Sequence, residues 1–183
     1  MKKIIVLLLA LVMLISFACT KKDGSTETAK PSESAQPDSG KEGALVIDDV
    51  TAFGRSILTG CTFEFALDEF DDLAFAAEQL KISSDKLNMI DGKPEMFRAI
   101  ANSEEVLVVG AKDEAAAKEI LEGAVADRIT YLREGYSDYG PDQVPKINSC
   151  VKMTAGRYVI LVISNDNTAA QKVVNDLLDA AKK

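Results

Sequence analysis

The chain has 183 residues, no histidine and a formal net charge of −8. Its 47% hydrophobic and 27% charged residues are typical of a globular protein. The lack of histidine removes the commonest general base and the commonest transition-metal ligand at neutral pH. An acidic surface repels phosphate backbones and anionic headgroups, so nucleic acid is excluded as an expected partner, as is electrostatic membrane binding.

Residues 1–18 have the pattern of an export signal. Lys2 and Lys3 form a basic start, and an unbroken apolar stretch follows from Ile4 to Ile15. As a helix of roughly 18 Å this stretch is too short for a hydrocarbon core of ~30 Å. We therefore predict a lipoprotein signal peptide at 1–18 and not a membrane-spanning helix.

The sequence Ile15-Ser16-Phe17-Ala18-Cys19 resembles the lipobox of bacterial lipoproteins. In that motif a small residue precedes a cysteine that is diacylated on sulfur and becomes the new N-terminus. Ser16 stands where leucine is usual, and Ser16-Phe17-Ala18 would also suit ordinary signal peptidase. The resemblance implies lipid attachment at Cys19, so we expect an exported protein, lipid-anchored to the outer face of the cytoplasmic membrane.

The segment that follows has a different composition. Thr20 to Gly43 contains no aromatic residue and no aliphatic one beyond alanine. Such a sequence cannot bury enough apolar surface to fold, and as a coil it would span on the order of 27 Å. We predict a lipidated cysteine with a disordered polar tether over 19–44, and a globular domain over 45–183.

The domain shows mixed helical and strand periodicity. The spacing of apolar residues predicts helices over 50–58, 68–80, 84–89, 112–135 and from 165 onward, and strands over 61–65, 96–100, 106–109, 147–153 and 158–163. A polar, tyrosine-bearing loop is expected from Gly135 to Lys146. Since these elements follow no strict βαβ order, we predict a single α+β domain with a mostly antiparallel sheet of about four or five strands packed against helices.

Several stretches together resemble a known family. They are the strand Glu105 to Asp113 with its long helix, Arg128 to Gln143, and Asn148 to Ser164, which ends in Gly156-Arg-Tyr-Val-Ile-Leu-Val-Ile-Ser164. With the lipobox and the acidic tether, these segments resemble a widespread group of Firmicutes lipoproteins known as a domain of unknown function. The resemblance implies location and fold, and it implies no activity.

Two cysteines remain in the domain. Cys61 and Cys150 could form one disulfide outside the cell, or could be two independent buried thiols. The bridge would close a loop of roughly 90 residues and contribute about 4–5 kcal/mol on the chain-entropy model. The sequence leaves both alternatives open.

The candidate for partner binding lies at the end of the long helix. Arg133, Tyr136 and Tyr139 gather there with Tyr131, and these residue types are enriched where proteins bind partners. The alternative is that Tyr131 and Tyr139 pack onto the edge of the sheet.

Enzymatic patterns are weak by comparison. Five carboxylates lie within residues 64–72, where they suit a helix start, and Ser83-Ser-Asp-Lys86 has the S-x-x-K spacing without its companion motifs. We predict no catalytic residue, cofactor or metal. The expected function is a non-catalytic binding module of the cell envelope for an unknown protein, peptide or small ligand, and the alternative is a small extracytoplasmic enzyme.

Overall fold

A computed structural model describes residues 45–183 of the chain. The predictions for the signal peptide 1–18, for Cys19 and for the tether up to residue 44 lie outside the described residues. The globular domain predicted over 45–183 is the part described.

The domain is built on one five-stranded, fully antiparallel sheet. Its strands are β1 (Asp68–Phe70), β2 (Glu95–Arg98), β3 (Glu105–Gly110), β4 (Val151–Ala155) and β5 (Tyr158–Ile163), in the spatial order β1-β2-β3-β5-β4. Every residue of β3 and β5 is buried, as the continuous apolar runs predict. The single α+β domain with an antiparallel sheet is therefore confirmed.

Helices cover both faces of the sheet. They are α1 (Val50–Gly60), α2 (Leu73–Gln79), α3 (Glu114–Ile120), α4 (Ala126–Tyr139), α5 (Val144–Asn148) and α6 (Asn167–Ala180). Short 3-10 turns span Ser84–Met89 and Pro141–Gln143. The alternation of side chains along β3 divides the core, since Val106 and Val108 pack against α1 and α6 while Leu107 and Val109 pack on the face of α3 and α4.

Aspartates begin four of the helices. Asp49, Asp72, Asp113 and Asp166 each accept a hydrogen bond from a backbone N–H in the first turn of the helix that follows, at 2.7–3.0 Å. The helix predicted over 68–80 begins later, at Leu73, because Asp68–Phe70 pairs with β2 and forms β1 instead.

The strand predicted over 61–65 is wrong. The backbone N–H groups of Glu64 and Phe65 donate to the carboxylate of Glu104, at 2.8 and 3.4 Å. This buried side chain takes the place of a neighbouring strand, so the alternating sequence runs as a loop.

The long helix also differs from the prediction. Its two halves, α3 and α4, are joined by a π-helical turn over Leu121–Val125, and α4 continues to Tyr139. The predicted loop is mostly helical because Pro141 and Pro145 stand in first turns, where a missing N–H costs little. As a result, β4 begins at Val151 and not at residue 147.

Within residues 45–183 we find no helix that combines the length and the apolar character needed to cross a bilayer.

Candidate functional site

An open groove of about 520 Å³ lies along the C-terminal half of α4. Its walls come from α4 and from Arg98 at the end of β2. We call this surface the tyrosine groove, and it is lined by Arg98, Tyr131, Leu132, Glu134, Gly135, Tyr136 and Tyr139.

Two of its tyrosines project into solvent. The exposed fraction is 65% for Tyr131 and 92% for Tyr139. Gly135 lies between them, one helical turn from each, and a Cβ atom at that position would meet nothing within 4 Å. The two rings therefore flank an open recess over Gly135.

The floor of the groove is fixed to the core. Leu132 is buried on the sheet, and Tyr136 is half-buried against the same apolar cluster. Burial raises the pKa of Tyr136 above its ordinary value.

A buried ion pair sets the position of α4 beside the groove. Arg128 donates from Nη2 to Glu105 Oε2 at 2.6 Å and from Nε to Oε1 at 3.3 Å. Both side chains are almost fully buried. Removing one partner of such a pair typically costs about 3–5 kcal/mol, because the other charge stays buried alone. The pair thus fixes the register of α4 on β3.

A glutamine links this ion pair to the groove. Gln79 Oε1, at the end of α2, accepts from Arg98 Nη1 at 2.9 Å and from Arg128 Nη1 at 3.4 Å. The Arg128 guanidinium carbon also lies 6.0 Å from the centroid of the Tyr131 ring, at the limit of a cation–π contact. The uncharged side chain of Gln79 therefore holds Arg98 in place.

The charges in the groove are free of ion pairs. Arg55, Arg128 and Arg157 each pair with a carboxylate, whereas Arg98 and Arg133 pair with none among residues 45–183. Glu134 likewise makes no ion pair with any residue of the described part. The groove therefore contains one cation and one anion that have no ion-pair partner in the described part of the chain.

The structure assigns different places to the residues singled out from sequence. Tyr136 and Tyr139 line the groove, while Arg133 does not line it and donates instead to Thr130 Oγ1 at 3.4 Å. The alternative in which Tyr131 and Tyr139 pack on the sheet edge is wrong, because both are exposed.

The sequence did not identify Arg98, Glu134 or Gly135 as groove residues. Arg98 precedes Tyr131 by more than thirty residues and reaches the groove only through the pairing of β2 with β3. Gly135 was predicted to end the helix, which is the commoner role of glycine.

The two cysteines of the domain are free thiols. Cys61 packs against the cluster on the α1 and α6 side of the sheet, and Cys150 packs against the cluster on the other side. Of the two alternatives that the sequence leaves open, this arrangement is that of two independent thiols, with the sheet between the two side chains.

The carboxylates of residues 64–72 do not gather into one site. Asp72 caps α2, and Asp71 and Glu69 pair with Lys93 and Arg55. Among the described residues there is no group of three or more Asp, Glu, Cys or His side chains that could hold a metal ion.

Ser83 and Lys86, the two residues of the S-x-x-K spacing, have different surroundings in the structure. Lys86 Nζ pairs with Glu119 at 2.6 Å, and Ser83 precedes the 3-10 turn without capping it through its side chain.

The fold and the groove define a single α+β domain with an exposed aromatic surface on one helix. The profile of the family described as Domain of unknown function (DUF4358) matches residues 63–164, which is more than half of the chain. The chain belongs to this family. No curated protein and no solved structure matches it.

Proposed function

We propose that the chain is an exported lipoprotein, anchored through Cys19 to the outer face of the cytoplasmic membrane, whose domain is a non-catalytic interaction module. The tyrosine groove is its docking surface. The observation that carries this proposal is the exposure of Tyr131 and Tyr139 on either side of the open recess at Gly135. Tyrosine and arginine are enriched among the residues that dominate binding energy.

The anchor rests on the sequence at the N-terminus. The lipobox-like Ser16-Phe17-Ala18-Cys19 follows a basic and apolar export signal. Metabolic labelling with a palmitate analogue should tag the wild-type protein and leave Cys19→Ala unlabelled. Labelling of the alanine variant would contradict attachment at this cysteine.

The described chain begins far from the groove. Leu45 bridges to Lys182 and lies beside Ala155 and Gly156, at the end of the sheet where Tyr158 pairs with Gly110. Arg98 lies at the other end, where it pairs with Glu105. With about 3.4 Å per strand residue, the two ends of β3 are roughly 17 Å apart, so the described chain begins at the end of the sheet opposite to Arg98.

Docking can be tested by crosslinking in cells. A photoreactive phenylalanine analogue placed at Tyr139 of the full chain should give a discrete crosslinked product. The same analogue at Ser137, which is exposed on α4 but does not line the groove, is the matched control. Equal crosslinking at both positions, or none at Tyr139, would reject docking through this surface.

A pair of alanine variants separates binding from stability. Tyr139→Ala should reduce the crosslink formed from Tyr131 and change the melting temperature by less than 2 °C, because its side chain is exposed. Tyr136→Ala should lower the stability by about 1–3 kcal/mol, since Tyr136 packs on the core. A large loss of stability in Tyr139→Ala would show that Tyr139 is a packing residue.

A further inference from the structure

Two cavities meet beside the start of α4, at the opposite end of this helix from Tyr139. The first, of about 220 Å³, lies between the 3-10 turn Ser84–Met89 and the π-helical turn. The second, of about 260 Å³, lies between the last turn of α2 and the first turn of α4. Lys81 and Asp127 line both cavities, so these two side chains lie where the cavities adjoin. We call the two cavities together the lysine cleft.

We propose that the lysine cleft is a binding site for a small apolar amino acid in its zwitterionic form. Lys81 faces the carboxylate of the ligand and Asp127 faces its ammonium group, while the first cavity takes the apolar side chain. This site is additional to the tyrosine groove, and its ligand is independent of the docking proposed there.

The first argument is the backbone of Lys81. It follows α2 in a Schellman motif, in which Ile82 N–H donates to Ala77 O at 2.9 Å. Its φ of +53° is the only positive value at a non-glycine residue among residues 45–183. Glycine or asparagine is usual at this position, because a left-handed backbone crowds the Cβ atom of other residues. The end of the helix therefore does not require lysine, and strained residues of this kind cluster at ligand-binding sites.

The second argument is charge. Lys81 and Asp127 form no ion pair with any residue of the described chain. The other cations of the cleft are already paired, since Lys86 Nζ lies 2.6 Å from Glu119 and Arg128 belongs to the buried ion pair beside the tyrosine groove. One cation and one anion therefore remain where the cavities adjoin, and a ligand that carries both charges satisfies both.

The third argument is the apolar floor of the first cavity. Leu80, Met89 and Ile120 line it and belong to the buried core cluster, with at most 8% of each exposed. A mostly apolar surface with a few charged groups at its edge is the common form of a small-molecule site. A zwitterion held between Lys81 and Asp127 can lay an apolar side chain on this floor.

A third unpaired charge sets the order of preference among ligands. Glu78 lines the second cavity only, and it forms no ion pair with any of residues 45–183. Together with Asp127 it gives the cleft two unpaired carboxylates against the one unpaired ammonium group of Lys81. Because like charges repel, a ligand that lacks its ammonium group should bind more weakly than one that lacks its carboxylate.

Competition with two analogues of leucine tests the proposal. Radiolabelled leucine should bind saturably to the full-length protein in detergent, as measured by equilibrium dialysis. Leucinamide lacks the carboxylate and 4-methylpentanoate lacks the ammonium group. Each should compete at least tenfold less well than unlabelled leucine, and 4-methylpentanoate should be the weaker of the two. Absence of saturable binding, or competition by either analogue equal to that by leucine, would overturn the proposal.

Two variants test whether the ligand lies in the cleft. Lys81→Asn removes the charge and suits the left-handed backbone, so it should melt no lower than the wild type and bind leucine at least tenfold less tightly. Asp127→Asn should weaken binding to a similar degree. Lys152→Asn and Asp138→Asn are the matched controls and should bind as the wild type does, since both residues are exposed and line neither cavity.

A further variant separates this site from the docking surface. Tyr139→Ala should bind leucine as tightly as the wild type, because Tyr139 lines neither cavity. Leucine binding that is unchanged in Lys81→Asn would reject the lysine cleft, whatever the result of crosslinking at Tyr139. Failure of the Tyr139 crosslink with leucine binding intact would reject the docking surface alone.

Discussion

At the scale of single residues, Glu95 is the most unusual side chain of the domain. It is fully buried beneath α1, where Gly54 leaves room for it. Its Oε2 accepts a hydrogen bond from Thr51 Oγ1 at 2.6 Å, while its Oε1 has no partner in the described structure. Burial and the nearby Glu69 and Asp71 raise the pKa of Glu95, whereas Thr51 and Arg55 act in the opposite direction.

This raised pKa makes a prediction about stability. A carboxyl whose pKa is higher in the folded state stabilises the fold at pH values below its ordinary pKa of about 4.3, and this contribution is lost as the pH rises through the folded-state pKa. The variant Glu95→Gln removes the titration. The difference in unfolding free energy between the variant and the wild type should shift in favour of the variant from pH 4 to pH 8, by about 1.4 kcal/mol for each unit of pKa shift.

Urea unfolding of both proteins across this range measures the difference. The comparison cancels the opposite contributions of carboxylates such as Asp71, whose pKa is lowered by Lys93. Asp71→Asn, exposed and ion-paired, is a matched control and should lose stability relative to the wild type as pH rises. A difference between Glu95→Gln and wild type that stays constant with pH would show that Glu95 is not titrating in the folded protein.

At the scale of elements, α4 contains a glycine that local stability does not require. Gly135 lies in the helix interior and has ordinary helical surroundings with space for a methyl group. A glycine there destabilises a helix by roughly 0.5–1 kcal/mol relative to alanine. Its presence is consistent with a role for the recess itself.

The corresponding prediction uses two glycines. Gly135→Ala should raise the unfolding free energy by roughly 0.5–1 kcal/mol and reduce the crosslink formed from Tyr139, because the methyl group fills the recess. Gly123, in the π-helical turn, also has open space around it but lies outside the groove. Gly123→Ala is therefore the control, which should leave this crosslink unchanged. Equal crosslinking in both variants would count against docking over Gly135.

The elements also show what sequence patterns can and cannot predict. Continuous apolar runs identified β3 and β5, and the helical spacing of apolar residues identified α1 and α6, because burial on the sheet determines both patterns. The loop at 61–65 could not be predicted, since its backbone bonds to Glu104, some forty residues away. The groove was found in part: the tyrosines are local in sequence, whereas Arg98 depends on strand pairing.

At the scale of the whole molecule, the two-sided core separates the thiols. Burial raises the pKa of Cys61 to about 11 and also raises the pKa of Cys150. Both thiols are therefore protonated at pH 8, and the protonated form is a poor nucleophile.

We expect slow alkylation of Cys61 and Cys150 in the folded protein at pH 8, and fast alkylation of both in urea. Measured without reductant, the mass of the exported protein should equal that expected for two free thiols, and it should not be lower by two hydrogens. A lighter mass together with unreactive thiols in urea would show that the cysteines are bonded and would contradict the arrangement described.

The π-helical turn at Leu121–Val125 has a wider consequence. Buried positions step by five residues from Ile120 to Val125 and by four from Val125 to Ile129. The extra residue rotates the helix that follows, so that α3 and α4 both keep their buried apolar side chains in the same core cluster. Deleting a single residue in this turn would rotate α4 by about 100° relative to α3. The outward direction of the tyrosines thus depends on the number of residues in the turn as well as on which residues they are.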